Sequence, residues 1–134
     1  SALRLWLLTK RMKKNILIEI KSTFLPQYSN SKKPEFIFAY YITIINNEKE
    51  SVKLIERHWE ITDANGNTRI VDGKGVVGEQ PIIKYGETFK YNSFCPLPTE
   101  FGKMSGYYKM KNEKGDFFNA EIPAFNLIVP SYLN

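Results

Sequence analysis

The chain of 134 residues contains one cysteine and one histidine. A lone Cys95 forms no internal disulfide and suits a reducing compartment, so a cytoplasmic location is expected. Nucleophilic catalysis needs a nucleophile, a base and an orienting group. Cys95, set between Phe94 and Pro96, reads instead as a small buried hydrophobe. Nothing local brings His58 to it. No catalytic residue and no cofactor are assigned, and the chain is read as non-enzymatic. No apolar run approaches the roughly 20 residues that a membrane span requires. No segment carries the period of a helix of three turns.

One-sided charge is also missing. Arg4, Lys10 and Arg11 precede every acidic residue, and from Met12 onward 16 basic residues face 14 acidic ones. The net charge of +5 therefore drops to +2 over the bulk of the chain. A nucleic-acid binder usually concentrates basic residues on one face, so no nucleic-acid partner is expected. Ser1-Ala2 reads as the remnant of a cleaved tag, and Met12-Lys13-Lys14 would make a natural second start. Residues 1–12 are thus read as an extension or tag remnant, frayed or docked as a short helix. An anchor on a membrane surface is disfavoured, because the apolar stripe of "LRLWLL" is under two turns long. Residues 13–134 are read as one domain.

What the chain has is apolar and aromatic content, 43% and 14%, arranged with a period of two. Ile16, Ile18 and Ile20 alternate with Leu17, Glu19 and Lys21, which predicts a strand with one buried face. "PEFIFAYYITIIN" is apolar on both faces and predicts a central strand. "VKLIERHWEIT" places Ile55, Arg57, Trp59 and Ile61 on one face and Glu56, His58 and Glu60 on the other. Asn65-Gly66 predicts a type I′ hairpin turn into "TRIVD". "PIIKYG" and "ETFKYNSFC" are two short strands around Gly86, and "PLPTEFG" reads as a loop. A last hairpin turns at Glu113-Lys114-Gly115, with Pro123 marking an edge or a bulge. About eight short strands predict an all-β sandwich of immunoglobulin or fibronectin-III type.

Gly73, Gly75 and Gly78 spell the G-x-G-x-x-G of dinucleotide-binding sites. That motif works because a helix follows the glycines and offers its N-terminal N–H groups to a pyrophosphate. Here Pro81 and Gly86 leave no room for such a helix, so dinucleotide binding of that kind is excluded. Two readings stay open. The glycines supply positive φ for a long turn, or their amides form a nest for a phosphate or nucleotide, aided by Lys74, Arg69 and Lys84.

Glu56, His58 and Glu60 share a strand face with Cα atoms roughly 6.5–7 Å apart. They are candidate ligands for a divalent metal if another strand helps, and otherwise a solvated face. Phe94, Leu97 and Phe101 are candidate partner-binding residues on a Pro-rich loop, or else caps on one end of the sandwich. Trp59 is expected in the core, with Arg57 on its face either reaching the sheet edge or pairing with an acid.

"FAYYITIINN", "RHWEITDANG", "GKGVVGEQPII", "YNSFCPLPTEFGKMSGYYKM" and "AEIPAFNLIVP" together resemble the ApaG family over about Ile16 to Pro130. The resemblance implies a small bacterial β-sandwich whose domain also occurs in eukaryotic F-box proteins and in a polymerase-interacting protein. There it looks like a protein-interaction unit. No settled activity comes with the family. Its glycine motif, here Gly73, Gly75 and Gly78, has invited a nucleotide or pyrophosphate proposal. The alternative expectation for this chain is a phosphate- or nucleotide-ligand protein, or a phosphohydrolase, that uses the glycine loop and Lys74. The bacterial proteins are loosely associated with cobalt and magnesium tolerance. The leading expectation is a non-enzymatic module that binds a protein partner through loops 73–81 and 94–102 at one end of the sandwich. A homodimer through exposed strand edges remains open.

Overall fold

A computed structural model describes residues 6–13, 15–30 and 32–133. Among the described residues, nine strands form two antiparallel sheets. They are β1 (Leu7–Lys13), β2 (Ile16–Phe24), β3 (Phe36–Asn46), β4 (Val52–Asp63), β5 (Thr68–Lys74), β6 (Ile82–Ile83), β7 (Thr88–Leu97), β8 (Phe101–Asn112) and β9 (Phe117–Ile128). The first sheet has the order β1-β2-β3-β7 and the second β5-β4-β8-β9. The short β6 pairs with Val52 and Lys53 of β4, beyond the end of β5. The architecture is the expected immunoglobulin-like sandwich.

The period-two pattern builds the core directly. Ile16, Ile18 and Ile20 of β2 and Phe38, Tyr40, Ile42 and Ile44 of β3 are buried. They meet Trp59, Ile61, Met104, Tyr108, Phe125 and Leu127 from the second sheet. Each large apolar side chain so buried contributes roughly 1.5–3 kcal/mol relative to exposure. β3 is central, as its composition predicts.

Four local expectations are corrected. A β-bulge falls between Leu54 and Glu56 in the pairing of β4 with β8. It reverses the alternation, so Leu54 enters the core and Ile55 is only half-buried. The stretch before Met12, expected frayed or helical, forms strand β1 from Leu7, paired in register with β2. A segment that short does not sustain a helix alone, whereas β2 offers it an open edge. "PLPTEFG" is mostly strand: β7 continues to Leu97 and β8 starts at Phe101, leaving Pro98-Thr99-Glu100 between them. Pro96 is tolerated because β7 is an edge strand. Finally, the Asn65-Gly66 turn is not type I′. Only Gly66 takes positive φ, Gly66 N donates to Asp63 O, and Asp63 N donates to Asn67 O. The Asp63 carboxylate accepts the amides of Asn65 and Asn67, which holds a three-residue loop in place of the two-residue one.

Pro123 behaves as expected. β9 is an edge strand, and its register against β8 shifts between Met104 and Gly106, where Pro123 and Ala124 stand opposite Ser105. The two long sides of the sandwich differ. On one, β1 and β2 pack against β9, and Ser22 Oγ donates to Asn126 O at 3.1 Å. On the other, the edge strands β5 and β7 face each other without a ladder between them.

Candidate functional site

The glycine stretch is an excursion in a broken edge strand. β5 runs along β4 as far as the pair Glu56–Lys74. Gly75 N then donates to Ile55 O, and Gln80 Nε2 donates to the same carbonyl at 3.0 Å. Leu54 N donates to Pro81 O, and β6 resumes the pairing. The five residues Val76–Gln80 thus loop out opposite the β4 bulge. Val76 and Glu79 exchange both backbone hydrogen bonds around Val77-Gly78. Val77 (φ 42°) and Gly78 (φ 81°) both lie in the left-handed region, which makes this a type I′ turn. Val76 is buried and anchors the loop, while Val77 is 57% exposed at its tip. A strand, not a helix, follows the motif, which removes the helix N-terminus that a dinucleotide fold requires.

The residues proposed for an anion nest do not gather. The amides of Gly75, Val76 and Glu79 are spent within the loop and on Ile55. Register places Arg69, Val71 and Gly73 on the inner face of β5, and Lys74 on the outer face opposite Glu56. Lys84 sits in a separate turn, its amide donating to Glu87 Oε1. The loop turns carbonyls toward a cation: Arg57 Nη1 donates to Gly75 O at 2.9 Å and to Lys74 O at 3.3 Å. Arg57 needs no acid, because these carbonyls hold its guanidinium.

On the outer face of the second sheet, His58 meets Asp72, which stands directly across from it on β5. Its Nδ1 lies 2.5 Å from Asp72 Oδ1 and its Nε2 lies 3.1 Å from Glu60 Oε2. The ring stacks on Tyr107 with centroids 4.8 Å apart. The hydrogen bond to Asp72, helped by Glu60, lifts the imidazole pKa above its ordinary 6.5. Both ring nitrogens are thus engaged by carboxylates. Glu56 stays outside this cluster, one pair further along opposite Lys74 and Lys109. Among the described residues, no three His, Cys, Asp or Glu side chains converge as metal ligands. Asp72 is the member that sequence reasoning missed. Its position is set by hairpin register, and only the length of the 64–66 loop reveals that.

The three aromatic and aliphatic partner candidates separate. Phe94 lies on the outer face of β7 and is 58% exposed. Leu97, 2% exposed, points into the core, and Phe101 is half-buried at the start of β8. The loop 98–100 and the hairpin tip 64–66 share one end of the sandwich, joined by the Ala64 N–Thr99 Oγ1 hydrogen bond of 3.0 Å. The glycine excursion lies at the other end of β5. The two loops expected to act together are therefore a strand length apart. Cys95 is buried on the inner face of the first sheet. Burial pushes its thiol pKa up, and His58 is on the outer face of the opposite sheet.

The open side between β5 and β7 carries the feature that the sequence did not announce. A cavity of about 200 Å³ there is lined by Tyr40, Arg57, Trp59, Arg69, Ser93 and Cys95. Val71 and Phe94 stand at its rim. Arg69 crosses from β5 to β7, where its Nη2 donates to Pro96 O at 2.6 Å and lies 3.5 Å from Cys95 Sγ. Beyond Arg69 a second depression of about 370 Å³ continues toward Glu35, Asp63 and Asn67. Trp59 is 2% exposed, and its indole Nε1 has no hydrogen-bond partner among the described residues. Such an orphaned buried donor costs about 1–3 kcal/mol.

An all-β sandwich of immunoglobulin-like build, with one edge broken by a glycine excursion and one side open, is the class that these features define. Residues 26–112 match the ApaG domain. The chain is 48% identical over 117 residues to Protein ApaG of Beijerinckia indica, covering 87% of this chain and 90% of that one. It is 44% identical, with the same coverage, to Protein ApaG of Brucella canis. A crystal structure of an ApaA protein from Bordetella pertussis superposes with a TM-score of 0.84 at 37% identity, covering 89% of this chain and 97% of that one. The chain belongs to the ApaG family. Among the described residues, no helix is long and apolar enough to cross a membrane.

Proposed function

We propose that this protein is a non-enzymatic binding module whose partner is another protein, and that the partner docks on the open β5–β7 side. One observation carries this reading. Two edge strands with unpaired outer edges flank a cleft rimmed by exposed apolar side chains, Val71 and Phe94, with Ile70 exposed on the far face of β5. Sheet edges of this kind recruit an extended segment through main-chain hydrogen bonds, while neighbouring side chains set specificity. β5 is the better edge of the two, since β7 carries Pro96.

A benzophenone photo-crosslinker in place of Phe94 tests the reading in cells, with the same group in place of Phe117 as control. Phe117 is equally exposed but sits on β9 beneath Lys109 and Lys111. A discrete heavier adduct from position 94 and none from position 117 is expected, with the partner lost in Phe94→Ser. Adducts from both positions alike, or from neither, would sink the proposal.

A further inference from the structure

We infer that the cavity behind β5 and β7 is a carboxylate receptor, which takes an acidic side chain from the extended segment that docks on this side. The inference rests on the binding-module reading above and adds the chemistry of the partner.

Two guanidinium groups line one small cavity. Among the described residues neither meets a carboxylate. Each is instead held by backbone carbonyls: Arg57 by Lys74 O and Gly75 O, Arg69 by Pro96 O. A carbonyl orients a guanidinium without neutralising it. Each arginine engages only one of its terminal nitrogens in those bonds, so further N–H groups remain for a ligand. Arg57 is half-buried and Arg69 exposed, so both positive charges stand at the cavity within reach from outside. An anion from outside the chain would find both of them unneutralised and complementary in charge.

The other lining groups fit the same guest. Trp59 lines the cavity, and its indole N–H, sealed from solvent, has no acceptor among the described residues. The Tyr40 hydroxyl, hydrogen-bonded to Ser93, has its pKa raised by burial and stays a neutral donor. Donors and cations thus line the cavity, and no Asp or Glu does. Size decides between guests. Small-molecule sites usually run roughly 300–1,000 Å³, and this cavity is about 200 Å³. That suits one side chain better than a nucleotide. Planar guanidinium groups match both carboxylates and phosphates, and the smaller carboxylate at the end of a side chain suits this volume. Inward side chains of a strand added beside β5 would follow Arg69, Val71 and Gly73 on the same face.

The test titrates the 15N-labelled full chain with two pools of capped five-residue peptides. Both have Val, Ile, Thr or Phe at the flanking positions, and the central residue is Glu in one and Gln in the other. Sodium acetate and inorganic phosphate are titrated separately as small-anion arms. The Glu pool is expected to shift the Trp59 indole N–H and the amides of Val71 and Ser93 saturably, at least about tenfold more tightly than the Gln pool. Acetate should move the same signals at far higher concentration, and Arg69→Gln, with an unchanged melting temperature, should remove the preference for Glu. Equal binding of the two pools, silence with both, or tighter binding of phosphate than of the Glu pool would overturn the receptor. The pool comparison uses the unaltered protein, so it holds even if Arg69→Gln fails to fold. If the two pools bind alike while the Phe94 adduct persists, the module stands and the carboxylate falls. If neither pool binds and no adduct forms, both fall.

Discussion

The Arg57 guanidinium lies flat over Gly73, with its carbon and both terminal nitrogens 2.5–2.6 Å from where a Cβ would stand. The first glycine of the motif is thus a seat for an arginine side chain. Gly75 is tight in another way. A Cβ there would stand 1.9 Å from the backbone Glu79 O, at a φ of +62°. The two sites should respond differently. In Gly73→Ala a flexible side-chain end can swing aside, so the expected loss is about 1 kcal/mol. Gly75→Ala must move backbone and should lose at least about 3 kcal/mol. Urea unfolding of both variants checks this, and equal losses would contradict it.

Val77 is β-branched and holds φ +42° at an exposed loop tip. Asparagine tolerates that conformation far better, and Asn-Gly is the preferred pair for a type I′ turn. Val77→Asn should therefore stabilise the fold by about 1 kcal/mol. A lower urea midpoint for the variant would show that Val77 has packing that its exposure hides.

His58 gives a pH signature. Its pKa in the fold is raised above 6.5, chiefly by the Asp72 hydrogen bond. A raised folded pKa means that the stabilisation is fully present below the unfolded value of about 6.5, and is lost as pH rises through the folded value. Stability should fall over that window. Asp72→Asn should flatten the slope and return the imidazole NMR titration toward 6.5. An Asp72→Asn protein that titrates like the parent would disprove the pairing.

Tyr91 and Tyr108 join their hydroxyls in the core, and burial holds both pKa values well above 10. Tyr108→Phe leaves the Tyr91 hydroxyl without its partner and should lose about 1–2 kcal/mol. The Tyr91→Phe, Tyr108→Phe double variant should lose less than the two single losses combined. Strict additivity in denaturant unfolding would argue against a direct bond.

Strand identity was legible because period-two patterning and burial report the same physics. β2, β3 and the final hairpin follow directly from it. Ile55 reads from the sequence as a core position, because a bulge changes the phase of a strand without any mark in composition. The helix-free context of Gly73, Gly75 and Gly78 was legible from Pro81, but the match of their excursion to the Ile55 bulge is a pairing across two strands. The candidate site was the least legible. In the sequence Arg57 stands out only as a charge on a core face, and Arg69 only as a basic neighbour of the glycine loop. What unites them is sheet order, since β5 and β7 become facing edges only once both sheets are assembled. Periodicity along one strand carries no information about that.

The unequal sides of the sandwich also set how it breathes. On the β1–β9 side the sheets are latched by packing and by the Ser22–Asn126 bond, whereas between β5 and β7 the described hydrogen bonds are those of a single residue, Arg69. The molecule is built like a bivalve with its ligament along β1, β2 and β9. Amide protons of β5 and the outer edge of β7 should exchange with solvent soonest and those of β2 and β8 last, so the gape that admits a guest is the motion that the fold resists least.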